Sequence, residues 1–276
     1  MDLCYHGEVF ERNFLGRLTS KQVEELPKQK ALVILPIGAV EQHGPHLPIY
    51  TDSLIAEGVL KAVCNYLNED DNIWILPAIP YGKSTEHLGY AGTISLSGST
   101  LQLIVKDIAT SLQKSGFRKL VLFNTHGGNH DLLNMIARDI RIETGLITFR
   151  LNSYDFDVAE DIITKQEAAY GIHGGEVETS LVLSFKSEWV KKELCPSEIM
   201  QFPMKIKHLQ LKGNNYFAWK MEDISNTGIL GNARKATKEK GEKIIGRLSE
   251  ILAQVLREMA EFEIDELTCV SSDSSL

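Results

Sequence analysis

The chain repeats one arrangement three times: a short apolar run, a polar loop carrying histidine, then a stretch with helical spacing. Ala31–Ile37 (Ala-Leu-Val-Ile-Leu-Pro-Ile) shows no polar alternation, the pattern of a strand covered on both faces. Asn72–Ile79 and Phe117–Phe123 are similar runs, and Leu146–Leu151 is a fourth strand candidate. Ser53–Leu67, Ser99–Lys114 and Asp131–Thr144 carry apolar residues at helical intervals, as at Leu101, Ile104, Val105, Ile108 and Leu112. Strands alternating with helices predict an α/β fold with a mainly parallel sheet and helices on both faces. Ligands bind such sheets outside the carboxyl ends of the strands. The loops bearing Glu41 and His43, Ser84 and His87, and His126 are therefore expected to converge on one edge.

The rest of the chain frames that edge. Residues 1–30 read as a polar arm with a short helix at Ser20–Lys28. The acidic stretch Tyr154–Tyr170 reads as a surface segment or flap, and Pro196–Gly228 as irregular. A long amphipathic helix over 233–262 turns Ile244, Leu248, Ile251, Leu252, Val255, Leu256 and Met259 toward the core. With no linker and no stretch of sequence that recurs, residues 1–265 are expected to form a single domain and 266–276 a tail, disordered over Ser271–Leu276. A net charge of -8 without a basic stripe argues against a nucleic-acid partner. No run reaches membrane-spanning length and the N-terminus lacks signal-peptide features. The expectation is a cytoplasmic protein with a small-molecule substrate and no membrane partner. The four cysteines are scattered without C-x-x-C spacing, so chemistry falls to histidine, and six of the eight lie between His43 and His173.

Glu41 and His43, two apart in an extended segment, point to the same side. Gly44, Pro45 and Pro48 then turn the chain so that Asp52 can return there. Asp52 is equally placed to cap the following helix, as is Thr51. His126, in Asn124-Thr-His-Gly-Gly-Asn129, follows a strand, and its glycines allow a ligand to approach closely. The loop lacks the Gly-Lys-Ser/Thr of a phosphate-binding P-loop. His173-Gly-Gly-Glu-Val-Glu-Thr-Ser180 opens a helix and offers a general acid/base together with Glu176 and Glu178.

These motifs, with Gly38-Ala-Val-Glu-Gln-His-Gly-Pro-His-Leu-Pro48 and Glu86-His-Leu-Gly-Tyr-Ala-Gly-Thr-Ile-Ser95, resemble those of the creatininase family over most of residues 31–245. The resemblance implies a hydrolase with two divalent ions, zinc, manganese or iron, cleaving an amide C–N bond in a cyclic amide or formamide. Ring opening of an oxidised inositol, peptide trimming and metal binding without turnover are the alternatives. Carried over, Glu41 and His126 would bind one metal, His43 the other, and Asp52 both. Creatininases proper place a further carboxylate where this chain has Gly128, and Glu176 is expected to replace it. His173 would act as general acid with Glu178 orienting it, while Ser84, His87 and Gly127 face the substrate. For His87, bracing the loop is an equally open role. Gly127-Gly128, and the absence of tryptophan at Ala168, Ala169 and Tyr170, point away from creatinine itself. A homo-oligomer, commonly a hexamer, is also implied, and the aromatic segment Phe202–Trp219 suits an interface or a lid.

Overall fold

The computed structural model describes residues 12–213 and 215–269. The first part of the expected arm and the tail at Ser271–Leu276 lie outside the described residues. After a short helix α1 (Ser20–Glu25), four parallel strands build one sheet: β1 (Leu32–Ile37), β2 (Ile73–Ile75), β3 (Lys119–Asn124) and β4 (Ile147–Asn152). Their spatial order is β2-β1-β3-β4. The central pair runs in register from Leu32 opposite Lys119 to Ile37 opposite Asn124. Every side chain of β1 and β3 is buried, as the apolar runs Leu32–Ile37 and Leu120–Phe123 require. Lys119 and Asn124, the two ends of β3, are the exceptions in kind, and the Lys119 ammonium reaches the Ala260 carbonyl and, at 3.0 Å, the Glu263 carboxylate.

Alternate strand residues serve opposite faces. Leu32, Ile34, Val121 and Phe123 pack with helices α2 (Thr51–Val63), α6 (Glu176–Lys186) and α8 (Lys238–Glu261). Val33, Leu35, Leu120 and Leu122 pack with α3 (Gly98–Lys114) and α4 (His130–Thr144). From β1 the chain pairs β2 on one side, then crosses to β3 on the other. The β1/β3 boundary is thus the switch point of the sheet, where the two departing loops leave a crevice.

Several details differ from the sequence expectation. Neither Thr51 nor Asp52 caps α2: the helix starts at Thr51 after Tyr50, with no side-chain cap, and the Thr51 hydroxyl donates to the Pro48 carbonyl at 2.7 Å. β2 is only three residues long because its register with β1 slips by one residue beyond Leu76: Ile75 pairs with Ile34, whereas Ile79 bridges to Ile37 and its N–H donates to the Pro36 carbonyl. The last helix begins at Lys238 with Thr237 as its N-cap. The stretch read as a flap is anchored: Val158 is buried, with Phe156, Ile162 and Ile163 packed against the core, and α5 (Lys165–Tyr170) follows. Two further short elements, β5 (Ser197–Glu198) with β6 (Gly231–Asn232) and α7 (Met221–Ile224), hold the irregular region. No helix among the described residues is long and apolar enough to cross a membrane.

Helices α6 and α8 touch backbone to backbone at Gly241, where an added Cβ would lie 1.9 Å from the Ser180 carbonyl oxygen. Alanine is the better helix former by about 1 kcal/mol. Gly241→Ala is nonetheless expected to destabilise the protein by about 2 kcal/mol, because the helices must separate. Denaturant unfolding of the two proteins measures the sign.

Candidate metal centre

The loop from β1 to α2 supplies most of the site: Glu41, His43 and, in the first turn of α2, Asp52, all at most 1% exposed. His126 enters from the end of β3. His173 lies just before α6, and Glu178 lies in the first turn of that helix. Three overlapping groups result: Glu41/Asp52/His126, His43/Asp52/Glu178 and Glu41/His43/His173. In each, the donor atoms lie within 4.8 Å of one another, close enough to hold a cation. Asp52 belongs to the first two and joins them.

Each imidazole is turned by a hydrogen bond at its far nitrogen. His43 Nδ1 donates to the Glu41 carbonyl (3.1 Å), which leaves Nε2 facing Asp52 Oδ1 at 3.4 Å and Glu178 Oε1 at 4.0 Å. His126 Nε2 donates to the Lys83 carbonyl (3.1 Å), and its Nδ1 faces Asp52 Oδ2 at 3.1 Å and Glu41 Oε1 at 3.3 Å. A carbonyl acceptor at the far nitrogen is how metal-binding imidazoles are commonly oriented. Glu41 Oε2 and His43 Nε2 have no hydrogen-bond partner among the described residues. Buried polar atoms are nearly always paired, so an orphaned carboxylate oxygen and an orphaned imidazole nitrogen in one cluster fit a divalent ion.

In the metal-free chain, protons balance these charges. Burial disfavours a charged His43, yet Asp52, then Glu178 and Glu41, push its pKa up to about 10. Burial also opposes charge on His126, and Glu41 and Asp52 overcome it, holding that ring well above its usual range. Burial would raise Asp52, but the two imidazoles keep it far below the ordinary carboxylate range. At Glu41 burial wins, and the carboxyl is raised. At neutral pH, below the His43 value, both rings are therefore protonated, and a metal must displace those protons. Metal uptake is expected to release about two protons per chain and to tighten as the pH rises. Calorimetric titration in buffers of different ionisation enthalpy counts them.

The structure brings Glu41, His43, Asp52, His126 and His173 together as the sequence suggests, but not Glu176. The Glu176 carboxylate accepts from Thr164 N (3.0 Å) and Thr164 Oγ1 (2.7 Å) and pairs with Lys240, on the far side of α6. The carboxylate in the cluster is Glu178, whose side chain, 25% exposed, is also the most open to solvent. Its other oxygen accepts from Gly174 N. His173 is oriented instead by the Gln42 carbonyl, which accepts from Nε2 at 2.8 Å. Ser84 is fully buried, with Oγ 3.2 Å from His126 Nε2, so it braces that ring. Gly127 lies exposed at the rim with open space where a Cβ would stand. His87 is 3% exposed, its Nε2 3.8 Å from Glu41 Oε1, and burial holds its pKa well down. Gln42, absent from the sequence-derived site, touches both His87 and His173. Its position between Glu41 and His43 was the only local hint.

A sequence profile described as creatininase (creatinine amidohydrolase) matches residues 16–256. The creatinine amidohydrolase of Pseudomonas putida is 30% identical, over 89% of this chain and 96% of that protein. The mycofactocin precursor peptide peptidase of Mycobacterium tuberculosis is also 30% identical, over 90% of this chain and 92% of its own length. Among solved structures, the manganese form of creatininase matches with a TM-score of 0.73 at 27% identity, over 90% of this chain and 98% of that one. The profile spans most of the residues that build the sheet, and both relatives align over nearly their whole length: the chain belongs to the creatininase family of metal-dependent amidohydrolases.

Proposed function

We propose that the chain is a two-metal hydrolase that cleaves an amide C–N bond in a small polar substrate. The observation that carries this reading is the place of Asp52 in both the Glu41/His126 and the His43/Glu178 groups. Glu41 and His126 would hold one ion and His43 and Glu178 the other, with Asp52 shared. When bound, the pair of ions lowers the pKa of water and polarises a carbonyl. The chain does the rest. Burial, and next the neighbouring His43, lower the His173 pKa to about 4, so the ring is neutral. Its Nε2 proton is committed to the Gln42 carbonyl, and Nδ1 keeps a lone pair 3.5 Å from Glu41 Oε1. From there His173 can take a proton from the attacking water and pass it to the leaving nitrogen. Assembly as a homo-oligomer, a hexamer on the family resemblance, belongs to the same reading and is measured by sedimentation.

The test is to load the protein separately with zinc, manganese or iron, count bound ions, and screen cyclic amides, formamides and short peptides with chelator controls. Two ions per chain and chelator-sensitive amide hydrolysis are expected. A single ion per chain would remove the shared-aspartate reading. Turnover confined to cyclic ketones would move the reaction to a C–C bond, and metal without turnover on any class would leave a binding protein.

A further inference from the structure

Gln42 is 5% exposed, and its amide orientation is fixed from two sides. Oε1 accepts from Gly44 N at 2.9 Å, and Nε2 donates to the Gly228 carbonyl at 2.7 Å. Reversing the amide would set N–H against N–H and oxygen against oxygen. The second Nε2 hydrogen therefore goes to the next short contact, His87 Nδ1, at 2.8 Å. Gly228 makes this approach possible: its φ is +84°, and a Cβ there would lie 2.4 Å from Gln42 Oε1.

The consequence for His87 is chemical. A neutral imidazole that accepts at Nδ1 carries its proton on Nε2. His87 Nε2 makes no hydrogen bond to any described residue, and the Glu41 carboxylate at 3.8 Å marks the metal cluster as the direction it faces. A protonated nitrogen cannot ligate a metal, so His87 offers the site an N–H and no lone pair. His173, whose ring centroid is 4.4 Å away, has the same tautomer but is turned the other way. Its Nε2–H is used on the Gln42 carbonyl, and its bare Nδ1 faces inward.

We propose that Gln42 holds both rings in the Nε2–H tautomer with opposite ends facing the metals, so that His87 donates a hydrogen bond to the carbonyl oxygen of the scissile amide. This rests on the amide-hydrolase reading. His87 is then a catalytic donor to the oxygen that gains charge during attack, and Gln42 is its positioning residue. One residue assigns both roles, through its side chain to His87 and through its main chain to His173.

The experiment uses the full, metal-loaded chain with 15N-labelled histidine side chains, whose long-range proton–nitrogen correlations report the tautomer of each ring. Both rings are expected to show Nε2–H. In Gln42→Glu a carboxylate acceptor replaces the amide donor, so the single His87 proton should move from Nε2 to Nδ1, leaving Nε2 bare, while His173 keeps its state. The variant should lose kcat by about 100-fold, the typical size of one such donor, with metal content and KM little changed. His87→Ala should lose a similar factor, and His87→Gln, which restores an N–H, should recover part of it. The two His87 variants leave the Gln42–Gly228 contact intact and carry the test if Gln42→Glu does not fold. An Nδ1–H His87 in the unsubstituted protein, or unchanged kcat in His87→Ala, would overturn the proposal. Both tautomers as expected, without amide turnover in any protein, would overturn the donor role and the hydrolase reading while supporting the assignment of the rings.

Discussion

The Asp52→Asn variant is expected to bind less than one metal ion per chain and to lose at least about a thousandfold in activity. Asp52 is common to two of the three donor groups, and its carboxylate faces both His43 and His126 within 3.4 Å. Asparagine keeps the shape but offers one neutral oxygen, so neither ion retains its set. Metal ions contribute several kcal/mol to such transition states, and 4 kcal/mol is about a thousandfold at 1.36 kcal/mol per tenfold. The fold should survive, because Asp52 does not cap α2. Metal analysis beside circular dichroism separates the two effects, and two ions retained at full occupancy would contradict the shared role.

The second large effect distinguishes two glutamates that stand two residues apart. Glu178→Gln is expected to reduce the metal content to about one ion per chain, whereas Glu176→Gln should leave it at two. Residues two apart on a helix are turned about 200° from each other, so only one can face the cluster. Glu176 faces Lys240 and Thr164 and is fully buried, so its expected contribution is to stability. Lys240→Met should cost about 3 kcal/mol, since it leaves a buried carboxylate without its cation. Metal content should be unchanged, and denaturant unfolding with metal analysis on the same samples reads both. Loss of an ion from Glu176→Gln would return that residue to the ligand set.

The same pair shows where reading the sequence reached its limit. The strands were legible because β1 and the centre of β3, Leu120–Phe123, are uninterrupted apolar runs, which few structures other than a doubly covered sheet accommodate. Once parallel strands are granted, Glu41, His43 and His126 must lie at one edge, since each follows a strand. Asp52 was ambiguous because a carboxylate opening a helix serves equally as cap or ligand, and only the start of α2 at Thr51 decides. Glu176 and Glu178 depended on where α6 begins, and helix boundaries are poorly fixed by local pattern. Gln42 was missed for a different reason. Its partners His87, His173 and Gly228 are distant in sequence, and its place between Glu41 and His43 hints at the site without announcing contacts of that range. The acidic stretch from Tyr154 misled through its charge, because Phe156, Val158, Ile162 and Ile163 are too few to show a period.

The close seat of α8 on α6 has a consequence for how the protein matures. Glu41, His43 and Asp52 leave the ribosome early, but Glu178 rides on a helix whose buried side packs on α8, the last long element among the described residues. A nascent chain therefore has part of a ligand set long before it has all of one. Completion of the proposed donor set thus waits for the final helix, and a chain cut short before Lys238 would lack the support that holds Glu178 at the cluster.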